Sequence, residues 1–287
     1  MIDVKYALAA GAAAVALGAA GACAEERTTE ADDGTAIAYE VRGEGDPALV
    51  FVHCWSCNRA FWREQADVFA ADHRVVLIDL PGHGASGRDR EAWTLAAYGD
   101  DVARVADAEG LGQVVLVGHS MGGPVALLAA AALGDRVEGV ICVDTLHDAE
   151  FSMPEEVQQG WAQSFAGDYE GAMREGMGWL VPTDAALRAW VLEQALQADR
   201  GAVTALIPEL GAFDTRAALS ALDAPVRCIN AVPWNDYALA TAVGTNRRYG
   251  DFDAVLMDGV GHFPHLERPG EFNGHLRALL EAIEAGE

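Results

Sequence analysis

Positive charge is what this chain has least of. Its 287 residues include 19 Lys or Arg against 44 Asp or Glu, a formal net charge of −25. Lys5 is the only lysine, and arginine supplies the other 18 basic residues. A surface of that sign repels a phosphate backbone, which argues against nucleic acid as a partner. Cysteine is sparse, with five residues in all. Long apolar runs are missing too: Tyr6 to Ala20 is too short and too alanine-rich for a good membrane span. No repeat or long linker interrupts the chain after residue 35. What remains is long enough for one large α/β domain with a sizeable core.

Residues 1–24 form a separate piece. Lys5 and the amino terminus give a weak positive start, which Asp3 weakens further. An Ala/Leu/Val/Gly run follows and ends in the small residues Ala20-Gly21-Ala22-Cys23-Ala24. This reads as a secretory signal and implies export to a periplasmic or other extracytoplasmic site. Ala20-Gly21-Ala22-Cys23 resembles the lipobox of bacterial lipoproteins, with Ala where Leu is commoner. Acylation of Cys23 would then attach the protein to a membrane surface. Simple cleavage after Ala22 or Ala24 is the alternative. The polar, acidic stretch Glu25 to Gly34 is expected to be a tether.

From residue 35 onward, apolar runs alternate with helical stretches. Strands are expected at 36–41, 48–53, 74–79, 113–118, 137–144, 226–230 and 254–257. They are apolar on both faces, as buried parallel strands should be. Helices are expected at 60–71, 95–108, 121–133, 237–248 and 271–285. This alternation implies a mostly parallel central sheet flanked by helices. Between Leu146 and Leu222 no strand is expected. Helical stretches rich in Phe151, Met153, Trp161, Phe165, Met173, Met177, Trp179, Leu180, Trp190 and Leu192 fill that interval.

Gly118-His119-Ser120-Met121-Gly122 sits between a strand-like run, Gln113 to Val117, and a helix-like run from Pro124 to Ala130. G-x-S-x-G in that setting is a nucleophile elbow, a strained turn that lifts a serine hydroxyl clear of the sheet. A serine needs a general base within hydrogen-bond reach. His262 suits that role best among eight histidines, because it alone follows the last strand in a glycine-flanked loop. His119 adjoins the serine and points elsewhere, His265 reads as a wall residue, and His53 and His83 read as structural. His73, His147 and His275 have no motif around them.

The elbow, the late Gly259-Val260-Gly261-His262-Phe263 loop, the early Val50-Phe51-Val52-His53 and the run Val75 to Ser86 together resemble the α/β-hydrolase superfamily. Gly261-His262 followed by Glu267-Arg268-Pro269 and Phe272-Asn273 also fits that superfamily's last loop and helix. Within it the likeness is to small serine esterases, lactonases and related hydrolases, from about residue 35 to the C-terminus. The resemblance implies the chain order Ser…acid…His and a lid over about 146–222. It implies two oxyanion donors, the N–H of Met121 and an N–H in the loop after His53. Relatives commonly read His-Gly-x there, whereas here Cys54 replaces the glycine and Trp55 is the donor by position.

The acid that orients the base has two candidates. Asp144 ends the strand after the elbow helix, where some superfamily members carry it. Asp236 lies in the loop after 226–230, the usual place, but six residues beyond Asn230. Asp144 is preferred; Asp148 is a weaker third candidate. Cys142 and Cys228 read as core. Cys54 and Cys57 form either a disulfide or two free thiols, and with His53 they lack a fourth ligand for zinc. The expected function is cleavage of a carboxylic ester, lactone or related acyl bond of a small-molecule substrate. No metal or organic cofactor is required. A cofactor-free haloperoxidase-like or C–C hydrolase reaction uses the same residues, and a non-catalytic binding protein is the rival from another class. Oligomeric state is not legible.

Overall fold

In the computed structural model, residues 24–181, 184–232 and 241–286 are described. Eight strands form one sheet: β1 Glu25–Glu30, β2 Ala36–Arg42, β3 Ala48–Val52, β4 Val75–Ile78, β5 Val114–His119, β6 Val137–Val143, β7 Val226–Val232 and β8 Phe252–Asp258. Their spatial order is β1-β2-β4-β3-β5-β6-β7-β8. β2 pairs antiparallel with both of its neighbours, β1 and β4, and the remaining neighbours pair in parallel. The β3, β4, β5 and β7 residues are all buried, and β3 and β4 accordingly read as unbroken apolar runs.

Helices cover both faces. They are α1 Arg63–Phe69, α2 Leu95–Ala108, α3 Gly122–Leu133, α4 Glu155–Gly167, α5 Tyr169–Leu180, α6 Ala185–Ala195, α7 Arg200–Ala212, α8 Thr215–Ser220, α9 Val243–Asn246, α10 Pro264–Glu267 and α11 Pro269–Glu284. One core layer packs α2 and α3 on the sheet; the other packs α1 and α11 on the opposite face. α3 is apolar on nearly every side because it is buried from Gly122 to Leu127. A β-carbon built on Gly122 would lie 2.4 Å from the Val52 carbonyl oxygen, so only glycine lets α3 begin against the end of β3. None of the helices among the described residues is long and apolar enough to cross a membrane.

Two expectations need correction. The stretch read as a tether, Glu25 to Gly34, is instead β1 and a tight turn. Ala31 and Thr35 close that turn with a backbone hydrogen bond of 2.9 Å, and Gly34 takes φ 84° within it. β1 has no apolar alternation. Its pairing with β2 and the ion pair from Arg27 to Glu109 on the end of α2 hold it. Glu109 also pairs with Arg74 and accepts from the Tyr39 hydroxyl at 2.7 Å; burial pushes its carboxyl up, but these partners and Arg27 together hold it below the usual carboxylate range. The second correction concerns the helix expected at 237–248. Only Val243–Asn246 is helical among its described residues, and 237–240 lie outside them.

The strandless interval contains α4 to α8, a helical insertion between β6 and β7. Phe165, Met173 and Met177 are buried there in a third core with Cys54, Cys57, Phe61 and Phe263. Phe151 and Trp161 instead remain exposed, at 67% and 51%. The insertion therefore rests on the loop after β3 and on the loop after β8.

Candidate active site

Ser120 follows β5 with φ 52°, the left-handed region that side chains avoid. Its N–H donates to Val143 O at 2.9 Å, and its carbonyl accepts from Gly123 N at 2.9 Å. The turn is thus held from β6 and from the first turn of α3. A β-carbon on Gly118 would stand 2.1 Å from Gly122 O, so the chain doubles back there at glycine-only distance.

Asp144 directly follows β6, also left-handed at φ 46°. One carboxylate oxygen, Oδ2, lies 2.5 Å from His262 Nδ1. The other, Oδ1, accepts the Ala231 N–H at 2.9 Å. Burial pushes this carboxyl up, but the hydrogen bond and charge of His262, the charge of His147 and the Ala231 N–H outweigh it and hold it below the usual carboxylate range. Asn230 on β7 clamps the next residue from both sides, accepting Thr145 N–H at 3.2 Å and donating to Thr145 O at 2.9 Å. Asp236 lies outside the described residues, as does Cys23. Asp148 accepts the N–H of Glu150 at 2.9 Å and so caps its own loop.

His262 sits in the loop between β8 and α10. Its N–H donates to Leu180 O at 2.9 Å, the last carbonyl of α5. Its own carbonyl accepts from His119 Nε2 at 2.7 Å. A carbonyl oxygen only accepts, so His119 carries its proton on Nε2. His119 therefore faces the back of the His262 loop. His265 packs between His119 and Trp62, with ring centroids 4.7 and 4.6 Å away.

The loop after β3 is tied at many points. His53 Nδ1 donates to Cys54 O at 2.8 Å while its Nε2 accepts Leu80 N–H at 3.0 Å. Cys54 and Cys57 are joined by a disulfide. Trp55 Nε1 donates to Val203 O in α7 at 2.8 Å, and its ring meets Phe165 of α4 edge-on at 5.1 Å. Asn58 Nδ2 donates to Gln194 Oε1 of α6 at 3.0 Å. The left-handed residue of this loop is Ser56, φ 56°, not Cys54, so replacing glycine by cysteine at 54 costs no backbone strain. Met121 is buried and leads into α3.

Four histidines are fully buried: His53, His83, His119 and His265. Burial pushes His53 down to about 4 and both His83 and His265 to about 3, and takes His119 well below the usual histidine range. They are neutral in the folded chain. In the unfolded chain each takes up a proton below about pH 6.5, so acid favours unfolding. Stability is expected to fall as the pH drops below about 6.5 toward 4, as the unfolded chain takes up protons that the buried rings exclude. Urea midpoints at about pH 8, 6.5 and 5 check this; a constant midpoint would contradict neutral burial.

Reading the sequence selected Ser120, Asp144, His262, Met121 and Trp55. The structure brings Asp144 and His262 into contact and sets Ser120 just past the end of β5, the strand between β3 and β6. It also reveals partners that the sequence did not signal: His147 and Asn230 beside Asp144, and Leu180 on the His262 backbone. None carries a local motif, since each reaches the site through tertiary packing.

Comparison with known proteins agrees with this architecture. The family model described as alpha/beta hydrolase fold matches residues 47–186. A pimeloyl-[acyl-carrier protein] methyl ester esterase of Yersinia pseudotuberculosis is 28% identical over 241 residues, covering 80% of this chain and 92% of that protein. The solved structure of Est816, an N-acyl homoserine lactone degrading enzyme, superimposes with a TM-score of 0.75 at 28% identity. It covers 88% of this chain and 99% of its own. A thermophilic esterase from Thermogutta terrifontis shares the fold, with a TM-score of 0.76 at 24% identity over 91% of this chain and 99% of its own. The elbow, the sheet order and these likenesses converge: the chain belongs to the α/β-hydrolase superfamily.

Proposed function

We propose that the protein is a serine hydrolase that cleaves a carboxylic ester or lactone through an acyl-enzyme, with Ser120 as nucleophile, His262 as base and Asp144 as the orienting acid. The observation that carries this reading is the 2.5 Å contact between His262 Nδ1 and Asp144 Oδ2, at the end of the strand beside the serine's own. A carboxylate on Nδ1 fixes the proton there and leaves Nε2 free to accept from a hydroxyl. Ser120 Oγ then attacks the acyl carbon as its proton passes to His262 Nε2. The backbone N–H groups of Met121 and Trp55 are assigned to the oxyanion. His262 returns the proton to the departing alcohol, the ester bond breaks, and the acyl group remains on Ser120. Water attacks that acyl group with His262 again as base, releasing the acid and the free serine. The ester and lactone chemistry named for two of the relatives supports the substrate class. In this reading the insertion α4 to α8 is the lid that shapes the acyl pocket.

A fluorophosphonate probe tests the reading directly. It is expected to label Ser120 stoichiometrically, and short p-nitrophenyl esters or acyl lactones are expected to turn over and protect against labelling. A chain that neither labels nor hydrolyses any ester would be a binding protein on this scaffold. Export with acylation of Cys23 is the proposal for location; mass spectrometry of the mature N-terminus tests it.

A further inference from the structure

The Asp144 carboxylate has a second histidine on it. His147 Nε2 lies 3.5 Å from Asp144 Oδ1, while His262 Nδ1 lies 2.5 Å from Oδ2. Two left-handed residues, Asp144 and Leu146, fold the chain so that these side chains meet three residues apart. The turn is fastened along its length. Asn230 holds Thr145, Asn246 donates to Leu146 O at 2.7 Å and accepts Ala149 N–H at 2.7 Å, and His147 O accepts Ala242 N–H at 2.6 Å. His147 is therefore placed against the acid by its backbone.

We propose that His147 is a positioning residue that shares Asp144 with His262 and so sets the pH at which the base loses its proton. The proposal rests on the assignment of Asp144 and His262 given above. The His147 side chain is 40% exposed, against 18% for His262 and 11% for Asp144, while its Nδ1 is buried without a hydrogen-bond partner. Histidine is the side chain whose charge ordinarily changes between pH 5 and 8. Once protonated, His147 draws on the same negative charge that supports an imidazolium at His262, and it repels that imidazolium. Both effects act in one direction: they drive the proton off His262 and keep the base ready at lower pH. Asp148 and Glu150 follow His147 on the same loop. Glu150 is engaged by Arg248 and by the Tyr249 hydroxyl, each at 2.8 Å. Asp144 is thus the carboxylate in contact with the ring of His147.

His147→Gln keeps a polar side chain of similar reach and removes the charge. The acid limb of kcat/KM for a p-nitrophenyl ester is expected to move up by about half a pH unit. That is the order expected of one charge on a partly exposed side chain, screened by solvent. The alkaline plateau should stay within about twofold, because His147 is neutral there. Superimposable profiles would overturn the proposal. So would an equal loss at every pH, which would mean a purely structural role. A second readout does not depend on turnover. The imidazole Cε1–H signal of His262 should titrate at higher pH in His147→Gln than in the parent, and an unchanged midpoint would also overturn the proposal. A shifted midpoint in a protein that hydrolyses no ester would instead refute the functional reading and leave the pairing of the two histidines standing.

Discussion

Ser120→Ala is expected to lower kcat by on the order of 10⁶, the scale on which loss of a serine nucleophile acts in hydrolases that use it with a histidine. The substitution removes one oxygen and keeps the β-carbon, so the strain at φ 52° is unchanged. The turn itself is held by backbone bonds to Val143 and Gly123, which do not involve the hydroxyl. Folding should therefore be unaffected, and thermal unfolding of the variant should overlay that of the parent. Single-turnover kinetics should show no acyl intermediate. Turnover at the parental rate would sink the assignment of the nucleophile and the acyl-enzyme with it.

Asp144→Asn should cost on the order of 10⁴ in kcat, the loss seen when the acid of such a triad becomes an amide. The reason is local. Oδ1 faces the Ala231 N–H, a donor, and Oδ2 faces His262 Nδ1. An amide has one acceptor and one donor end. If its oxygen stays on Ala231, its NH₂ meets His262 Nδ1 and drives the imidazole proton to Nε2, where it blocks acceptance from the serine. If the amide turns over, two donors collide at Ala231. The first orientation disables the base, and the second keeps its tautomer only with a donor clash at Ala231 and without the carboxylate's charge. Asp236→Asn should change kcat only modestly. Steady-state kinetics of the two variants decide between the acids, and the reverse ranking would move the role to Asp236.

How much of this was legible depended on where the information resides. Buried parallel strands carry their signature in consecutive residues, so β3 to β7 could be read nearly to their ends. The elbow is local as well: Gly118, Ser120 and Gly122 are close in sequence because strand and helix must nearly touch. Asp144 could be singled out because it follows the strand beside the serine's own. β1 could not. Its glutamates, arginine and threonines look like a solvated linker, and only Ala36–Arg42 and Glu109, far along the chain, make it a strand. His147 and Asn230 stayed hidden for the same reason. Their meaning comes from the left-handed turn at 144–146, and left-handed conformation at Asp144 and Leu146 is not written in either residue type.

The insertion is joined to this site by more than apolar contact. Leu180 O receives the His262 N–H, Val203 O receives the Trp55 indole, and Gln194 receives the Asn58 amide. For protein engineering this makes the helical segment a poor cassette. Grafting a foreign insertion between β6 and β7 to obtain new selectivity would sever three anchors of the core's own machinery. Such a chimera would lose turnover number along with its old selectivity, unless residues equivalent to Leu180, Gln194 and Val203 were grafted in register.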